Sequence, residues 1–302
     1  MSNTDIYSLI ENSLKQKTYS DFSELEHAVF QIDKSEGLQA ALKLGLQSNN
    51  ISEAFVIGYR CALQALLPEL KQDQWAAMCV SEKAGNHPKL LTTMVNDSGV
   101  LNGHKSFITM ADQAKQLIVV AKAGQSGDQP VLKAVLLMQP SDGLSIDIMP
   151  PLPMVPDINH GQITFENSQG QLLAGDGYAD YSKRFRTLED AHVFMAFSAM
   201  ILRKCVDLKL DAQLSQECLF LINSLLSLQG FDEKQENWLH LTLAGCFKHF
   251  EALCHQFEEA LLTSGDEFYP LWMRDKKLFT IAAKARINRN KKAQEWLLNT
   301  LS

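Results

Sequence analysis

The side chains most able to do chemistry cluster late in the chain. Cys246 and His249 stand three residues apart, with His240, Cys254 and His255 close by, a set that could be imagined around a metal ion. No pair of close-spaced ligand motifs accompanies them, so the spacing does not build a zinc site and no metal is expected. Further on come Arg274, Lys276, Lys277, Lys284, Arg286, Arg289, Lys291 and Lys292. Such a run either holds an anionic phosphate or forms a solvated face while Leu278, Ile281, Ala282 and Ala285 turn inward; amphipathic patterning favours the second reading. Glu217, Glu251, Glu258, Glu259 and Glu267 read as solvated carboxylates. There is no P-loop or GxGxxG glycine loop to cradle a nucleotide phosphate, and no Ser, His and Asp order that suggests a nucleophilic triad.

These residues need elements to position them. From Asp5 to about Lys71, apolar residues recur at helical steps (Ile6, Leu9, Ile10, Leu14; Leu38, Leu42, Leu46; Phe55, Tyr59, Leu63, Leu66), with breaks near Thr18 to Ser23, Ser35 to Gly37 and Ser48 to Ile51. Trp75 to Ser81 is a short apolar run of the kind that becomes a buried strand. Short strands are then predicted at Leu91–Val95, Gly99–Leu101, Ser106–Thr109, Leu117–Ala121, Val131–Met138, Leu144–Ile148 and Gly161–Phe165. Turn chemistry separates them at Asn96-Asp97-Ser98-Gly99, Asn102-Gly103 and Ser141-Asp142-Gly143. Even spacing without intervening helices predicts an antiparallel barrel or sandwich. Helical spacing returns in four segments, Tyr181–Lys209, Asp211–Leu228, Glu233–Thr263 and Leu271–Leu301, with short connections such as Gly230-Phe-Asp232, which predicts an antiparallel four-helix bundle. The expected organisation is a multi-domain α+β chain: N-terminal helices over 1–76, a middle β domain over 77–174 and a helical bundle over 175–302.

With 302 residues, 46% of them hydrophobic and 21% charged, the chain is long enough for more than one packed unit and too apolar for disorder. A formal net charge of −7 argues against nucleic acid or an anionic membrane as a partner of the whole chain. The six cysteines form no CxxC pair and read as reduced, buried small hydrophobes, which fits a cytoplasmic setting. The first residues lack a continuous apolar core of the signal-peptide kind, and no stretch approaches the length of a membrane span.

Met78-Cys-Val-Ser-Glu-Lys-Ala-Gly-Asn-His87, Leu91-Thr-Thr-Met, Gly99-Val-Leu-Asn-Gly-His-Lys-Ser-Phe-Ile-Thr109 and Ala114-Lys-Gln-Leu-Ile-Val-Val-Ala121 follow one another in an order and spacing that resemble the middle domain of the acyl-CoA dehydrogenase family. That family reads as a Thr-Glu-Pro segment with Ala-Gly-Ser-Asp, a Thr-Thr strand, a Leu-Asn-Gly-x-Lys hairpin and Trp-Ile-Thr or Phe-Ile-Thr. The resemblance resumes at Gly175-Asp-Gly-Tyr178 and Phe185-Arg-Thr-Leu-Glu-Asp190, and again at Tyr269-Pro270 with Arg274-Asp-Lys-Lys-Leu-Phe-Thr-Ile281.

The resemblance implies an FAD-dependent oxidoreductase of fatty acid metabolism, acting on a CH–CH bond of an acyl-CoA thioester. Flavin-dependent desaturation needs a hydride acceptor on one face of the acyl chain and a base on the other. By the same resemblance Ser81 and Thr109 place hydroxyls at the isoalloxazine edge, Phe107 packs against the ring with Ile108 beside it, and Met78 and Val80 line the neighbouring wall. Read without the resemblance, Phe107, Ile108 and Val80 are barrel core. Gly85 and Asn86 fall in the loop that contacts substrate in the family, although Ala84-Gly-Asn-His87 departs from Ala-Gly-Ser-Asp.

The family's Glu-Gly-Thr is Ala283-Lys284-Ala285 here, so its catalytic base falls on Ala283 and its flavin-contacting Thr on Ala285. Some members carry the base on an earlier bundle helix, a role open to Glu217, Glu251, Glu258, Glu259 or the loop residue Glu267. The Arg-x-x-Phe-Gly and Gln-x-x-Gly-Gly motifs that hold the FAD diphosphate across a subunit interface are not visible. The family implies a homo-oligomer passing electrons to an electron-transfer flavoprotein; the losses imply a degenerate, non-catalytic member with a weakened FAD site and a binding or assembly role.

Overall fold

The computed structural model describes residues 3–229 and 235–301, and the chain divides into two compact units. The helical unit gathers residues 1–61, 153–155 and 190–302, and the β unit gathers 62–152 and 156–189.

Four short helices open the chain: α1 (Asn3–Leu14), α2 (Phe22–Gln31), α3 (Leu38–Gly45) and α4 (Ile51–Leu66). They break where the sequence turns polar. At the start of α2, Asp21 accepts from the Glu24 amide at 3.0 Å, pairing a donor that the helix itself leaves orphaned, while the Glu24 carboxylate accepts from the Ser20 amide just before the cap at 2.7 Å. After the β unit come a π-helical turn (Gly177–Lys183), α5 (Arg184–Asp207), α6 (Ala212–Leu226), α7 (Glu236–Ser264), α8 (Phe268–Asp275) and α9 (Ala283–Leu301). Gly58 of α4 lies so close to α5 that an added Cβ would sit 2.4 Å from Val193 Cα, so the glycine permits the crossing. The connection expected at Gly230-Phe-Asp232 lies outside the described residues.

The single last helix expected over Leu271–Leu301 is instead α8 and α9, separated by a 3-10 segment, Lys276–Thr280. Periodicity did not reveal the break because no glycine or proline marks it. Tertiary contacts account for it: Asp275, almost fully buried, accepts from the Val155 amide at 2.7 Å, and the Phe279 ring packs edge-on against Phe197 and Phe250. Among the described residues no helix is long and apolar enough to cross a membrane.

The β unit is a curled half-barrel built from β1 (Ala76–Cys79), β2 (Met94–Val95), β3 (Val100–Thr109), β4 (Gln116–Ser126), β5 (Gln129–Met138), β6 (Leu144–Ile148), β7 (His160–Gln169) and β8 (Gln171–Leu172). The order is β6-β7-β3-β2-β4-β5-β8, mostly antiparallel as expected. Two pairings depart from that expectation, since β1 runs parallel to β4 and β2 meets β4 in parallel at Met94 and Lys122. Another departure is Asn102-Gly103, which is not a turn: the two short strands expected on either side are one continuous β3. Gly103 has φ 136°, and an added Cβ would lie 2.7 Å from Thr93 Cα, so the glycine serves close strand approach rather than chain reversal. Asn96–Gly99 is a turn as read, with the Gly99 amide donating to Asn96 O at 3.0 Å. The core of the unit includes Ala77, Cys79, Leu101, Ile108, Leu117, Val119, Leu137, Ile163 and Phe165.

Candidate functional site

The β unit brings the two ends of the motif together. The Ser106 amide donates to Ser81 O at 2.8 Å, which sets the residues just past β1 against the C-terminal end of β3, where Phe107 and Thr109 stand. Along β1, Ala77 and Cys79 enter the core while Met78, also buried, takes the opposite face by strand alternation; Val80 and Ser81 are half-buried.

A β-bulge shapes the far end of β3. The register with β7 shifts between Lys105 and Ile108, so that two residues, Ser106 and Phe107, stand where one would pair. Phe107 adopts φ 56° and is 58% exposed. A left-handed conformation at an aromatic residue costs on the order of 1–3 kcal/mol, and such strain concentrates at ligand sites. Ile108 then turns fully into the core, so its side chain is not on the wall where the resemblance had it; the alternation past the bulge puts Phe107 and Thr109 outward and Ile108 inward. Phe107 is correspondingly not barrel core.

Thr109 pairs with His160 of β7, and Ile108 with Gly161. His160 is therefore on the Thr109 face, and Gln162 is the next outward residue on the same strand. The His160 Nδ1 lies 2.9 Å from Ile158 O, and burial pushes the imidazole below its ordinary value, which favours the neutral ring.

Under this wall lies a buried ion pair. Lys105 Nζ is 2.7 Å from Glu82 Oε1 and donates to Val80 O at 3.1 Å, with side-chain exposures of 0% and 6% for Lys105 and Glu82. Glu82 also accepts from the Thr92 amide at 2.7 Å, the Thr92 hydroxyl at 2.6 Å and the Thr93 amide at 3.1 Å. Burial alone would raise the Glu82 carboxyl, but Lys105 and the Thr92 donors outweigh it and hold it down to about 2. Burial in turn pulls the Lys105 ammonium below its ordinary value despite Glu82. The pair ties Val80 and Glu82 to β3 just before the bulge. Sequence reading missed it, although a lysine at an inward strand position, two residues before Phe107, signals a buried partner.

Gly85 and Asn86 occupy the tight loop that Glu82 closes, with the Gly85 amide donating to Glu82 O at 2.8 Å and the Glu82 amide to Gly85 O at 3.0 Å. Gly85 has φ 118°, a conformation that requires glycine, and Asn86 is exposed.

In the helical unit, Ala283 lines a cavity of about 530 Å³, within the range of small-molecule sites. Its walls are aromatic, formed by Phe194, Phe247, Phe250 and Phe279, and Glu251 and Glu258 of α7 line it with Ala283. Glu258 is bound by Lys276 at 2.5 Å and accepts from Trp272 Nε1 at 3.3 Å. Burial raises its carboxyl, but Lys276 and Trp272 leave it below its ordinary value, which makes it a weak base. Glu217 is instead 3.0 Å from His249, Glu259 lines a different groove, and Glu267 precedes α8. Ala285 stands in the first turn of α9 and offers no hydroxyl. Nearby, buried Asp190 of α5 is bound by both Arg286 and Arg289, so two of the cations in the last basic run are structural. Burial raises the Asp190 carboxyl even against the two guanidinium groups. Among the described residues no group of three or more His, Cys, Asp or Glu is placed to hold a metal.

No sequence family and no curated protein matches the chain. Solved structures do. Butyryl-CoA dehydrogenase from Megasphaera elsdenii aligns over 97% of this chain and 98% of its own, with 12% identity and a TM-score of 0.71. A structure described as the electron transferring flavoprotein of Acidaminococcus fermentans aligns over the same shares, at 12% identity and 0.70. PigA with FAD and proline aligns over 100% of this chain and 98% of its own, at 15% identity and 0.66. The chain thus has the acyl-CoA dehydrogenase fold, shared with related flavoproteins.

Proposed function

We propose that the chain is a divergent flavoprotein of the acyl-CoA dehydrogenase family, binding FAD with its isoalloxazine ring against the wall of the β unit. The observation that carries this reading is Phe107, an aromatic residue held outward in a left-handed bulge beside Thr109 and Ser81. A flat aromatic ring with acceptors and an N–H at its edge fits a surface that presents an exposed phenyl group with Thr109 and His160 on the same face. When bound, the flavin supplies hydride acceptance. This chain's own residues hold and orient the ring, and the Lys105–Glu82 pair keeps Val80 to Glu82 fixed against β3.

The reaction we infer is oxidation of a CH–CH bond of an acyl-CoA or similar thioester, with electrons passed to an electron-transfer flavoprotein. Of the carboxylates lining the Phe-rich cavity of the helical unit, Glu251 is the candidate base, because Ala283 has no proton-accepting group and Glu258 is committed to Lys276. A homo-oligomer and a cytoplasmic setting belong to the same reading, the latter consistent with six free cysteines. A second reading, a non-catalytic relative with a weakened FAD site, is favoured by Ala283 and Ala285 together. Anaerobic addition of an acyl-CoA to the FAD-loaded protein separates the two. Bleaching of the flavin band that Glu251→Gln abolishes supports the enzyme; a band unchanged by acyl-CoAs of every chain length supports the non-catalytic relative.

A further inference from the structure

We propose that His160 is a flavin-binding residue, accepting a hydrogen bond at Nε2 from a ring N–H of the isoalloxazine; this rests on the flavin reading above. Antiparallel register puts its side chain directly across from Thr109 and on the same face of the sheet. The next outward residue of β7, Gln162, lies opposite the bulge that carries Phe107, so the three side chains Phe107, Thr109 and His160 share one corner.

The proton inventory of the imidazole fixes what it can do. Nδ1 sits 2.9 Å from Ile158 O, and a carbonyl only accepts, so Nδ1 carries the proton. In a neutral ring Nε2 then bears the lone pair, and it has no hydrogen-bond partner among the described residues. Burial, which lowers the imidazole pKa, favours this neutral form. An isoalloxazine edge always presents at least one N–H donor among its acceptors. The hydroxyls of Ser81 and Thr109 serve either kind of atom, whereas Nε2 is an obligate acceptor. Asp147 also accepts, but it stands on β6, paired with Gln162, one strand farther from Thr109. A position that would be an unremarkable polar surface residue on a bare sheet thereby completes the wall.

The test uses FAD binding, not turnover. Quenching of FAD fluorescence gives the dissociation constant for wild type, His160→Phe and His160→Gln, with thermal melts to confirm folding. A glutamine can bring its amide oxygen near the place of Nε2. Loss of one neutral hydrogen bond weakens binding about fivefold to tenfold, so His160→Phe is expected to bind that much more weakly while His160→Gln stays within about twofold of wild type. On the 15N-labelled wild type, the imidazole is expected to show an unprotonated Nε2 whose resonance moves when FAD is added. Wild-type affinity in His160→Phe, or a protonated Nε2 in the free protein, overturns the proposal while leaving the flavin reading intact. If the wild-type protein takes up no FAD, both fall together.

Discussion

The wall of the β unit and the start of α9 have fared differently in this chain. The wall presents what the proposed flavin site asks for: outward Phe107, Thr109, the Ser81 segment, and a buried ion pair that costs desolvation to maintain. The start of α9 has alanine at both positions where the acyl-CoA dehydrogenase resemblance asks for chemistry, yet Asp190 and its two arginines still hold the helix in place. If the proposed flavin site is right, cofactor support and proton abstraction are separable in this chain.

Breaking the support beneath the wall is expected to have the largest effect. Lys105→Met strands the Glu82 carboxylate and should cost about 3–5 kcal/mol, measured by denaturant unfolding; Lys105→Met with Glu82→Leu should recover much of that loss. Asp190→Ala leaves Arg286 and Arg289 without their buried partner and should cost about 3 kcal/mol, in the helical unit rather than at the wall. Hydrogen exchange distinguishes these sites. If Asp190→Ala loosened β3 and β7 while sparing α9, the separation of the two regions would be mistaken.

Acid should act on the wall through Glu82. Its folded carboxyl is lowered from 4.5 to about 2, so its stabilising contribution is complete above the ordinary value and is lost as pH falls from about 4.5 toward 2. Glu82→Gln should flatten that part of the stability-versus-pH curve; a curve superimposable on wild type would contradict the assignment. A smaller effect is expected at α9. Ala283→Glu adds a carboxylate to the Phe-lined cavity with little change in stability, and acyl-CoA-dependent flavin bleaching that rises in this variant would establish the start of α9 as the altered half.

Much of the scaffold was legible because it rests on local periodicity. The α-then-β-then-α order, the Asn96–Gly99 turn and most of the strands follow from spacing and turn residues. The break between α8 and α9 was not, since it comes from burial of Asp275 and Phe279 against distant residues. Asn102-Gly103 misled because the same dipeptide serves a turn and a close strand contact. At the candidate site, Phe107, Thr109 and Ser81 were singled out through a resemblance. His160 and the Lys105–Glu82 pair depend on which residues face one another across strands, a fact of register that one-dimensional spacing does not contain. Ile108 was assigned to the wall because the bulge that fixes its direction has no signature of its own.

Phe107 carries the proposed flavin site, and its replacement by glycine is the sharpest probe. Glycine accepts φ 56° without strain, so Phe107→Gly should leave the fold as stable as wild type or raise its stability by about 1 kcal/mol. Titration of FAD into the two proteins, followed by the flavin absorption band, then measures the role of the ring directly. A perturbed band with wild type and a loss of affinity of at least about tenfold in the equally folded variant are expected. Equal affinity in both, or no perturbed band with wild type, would contradict the proposed flavin site.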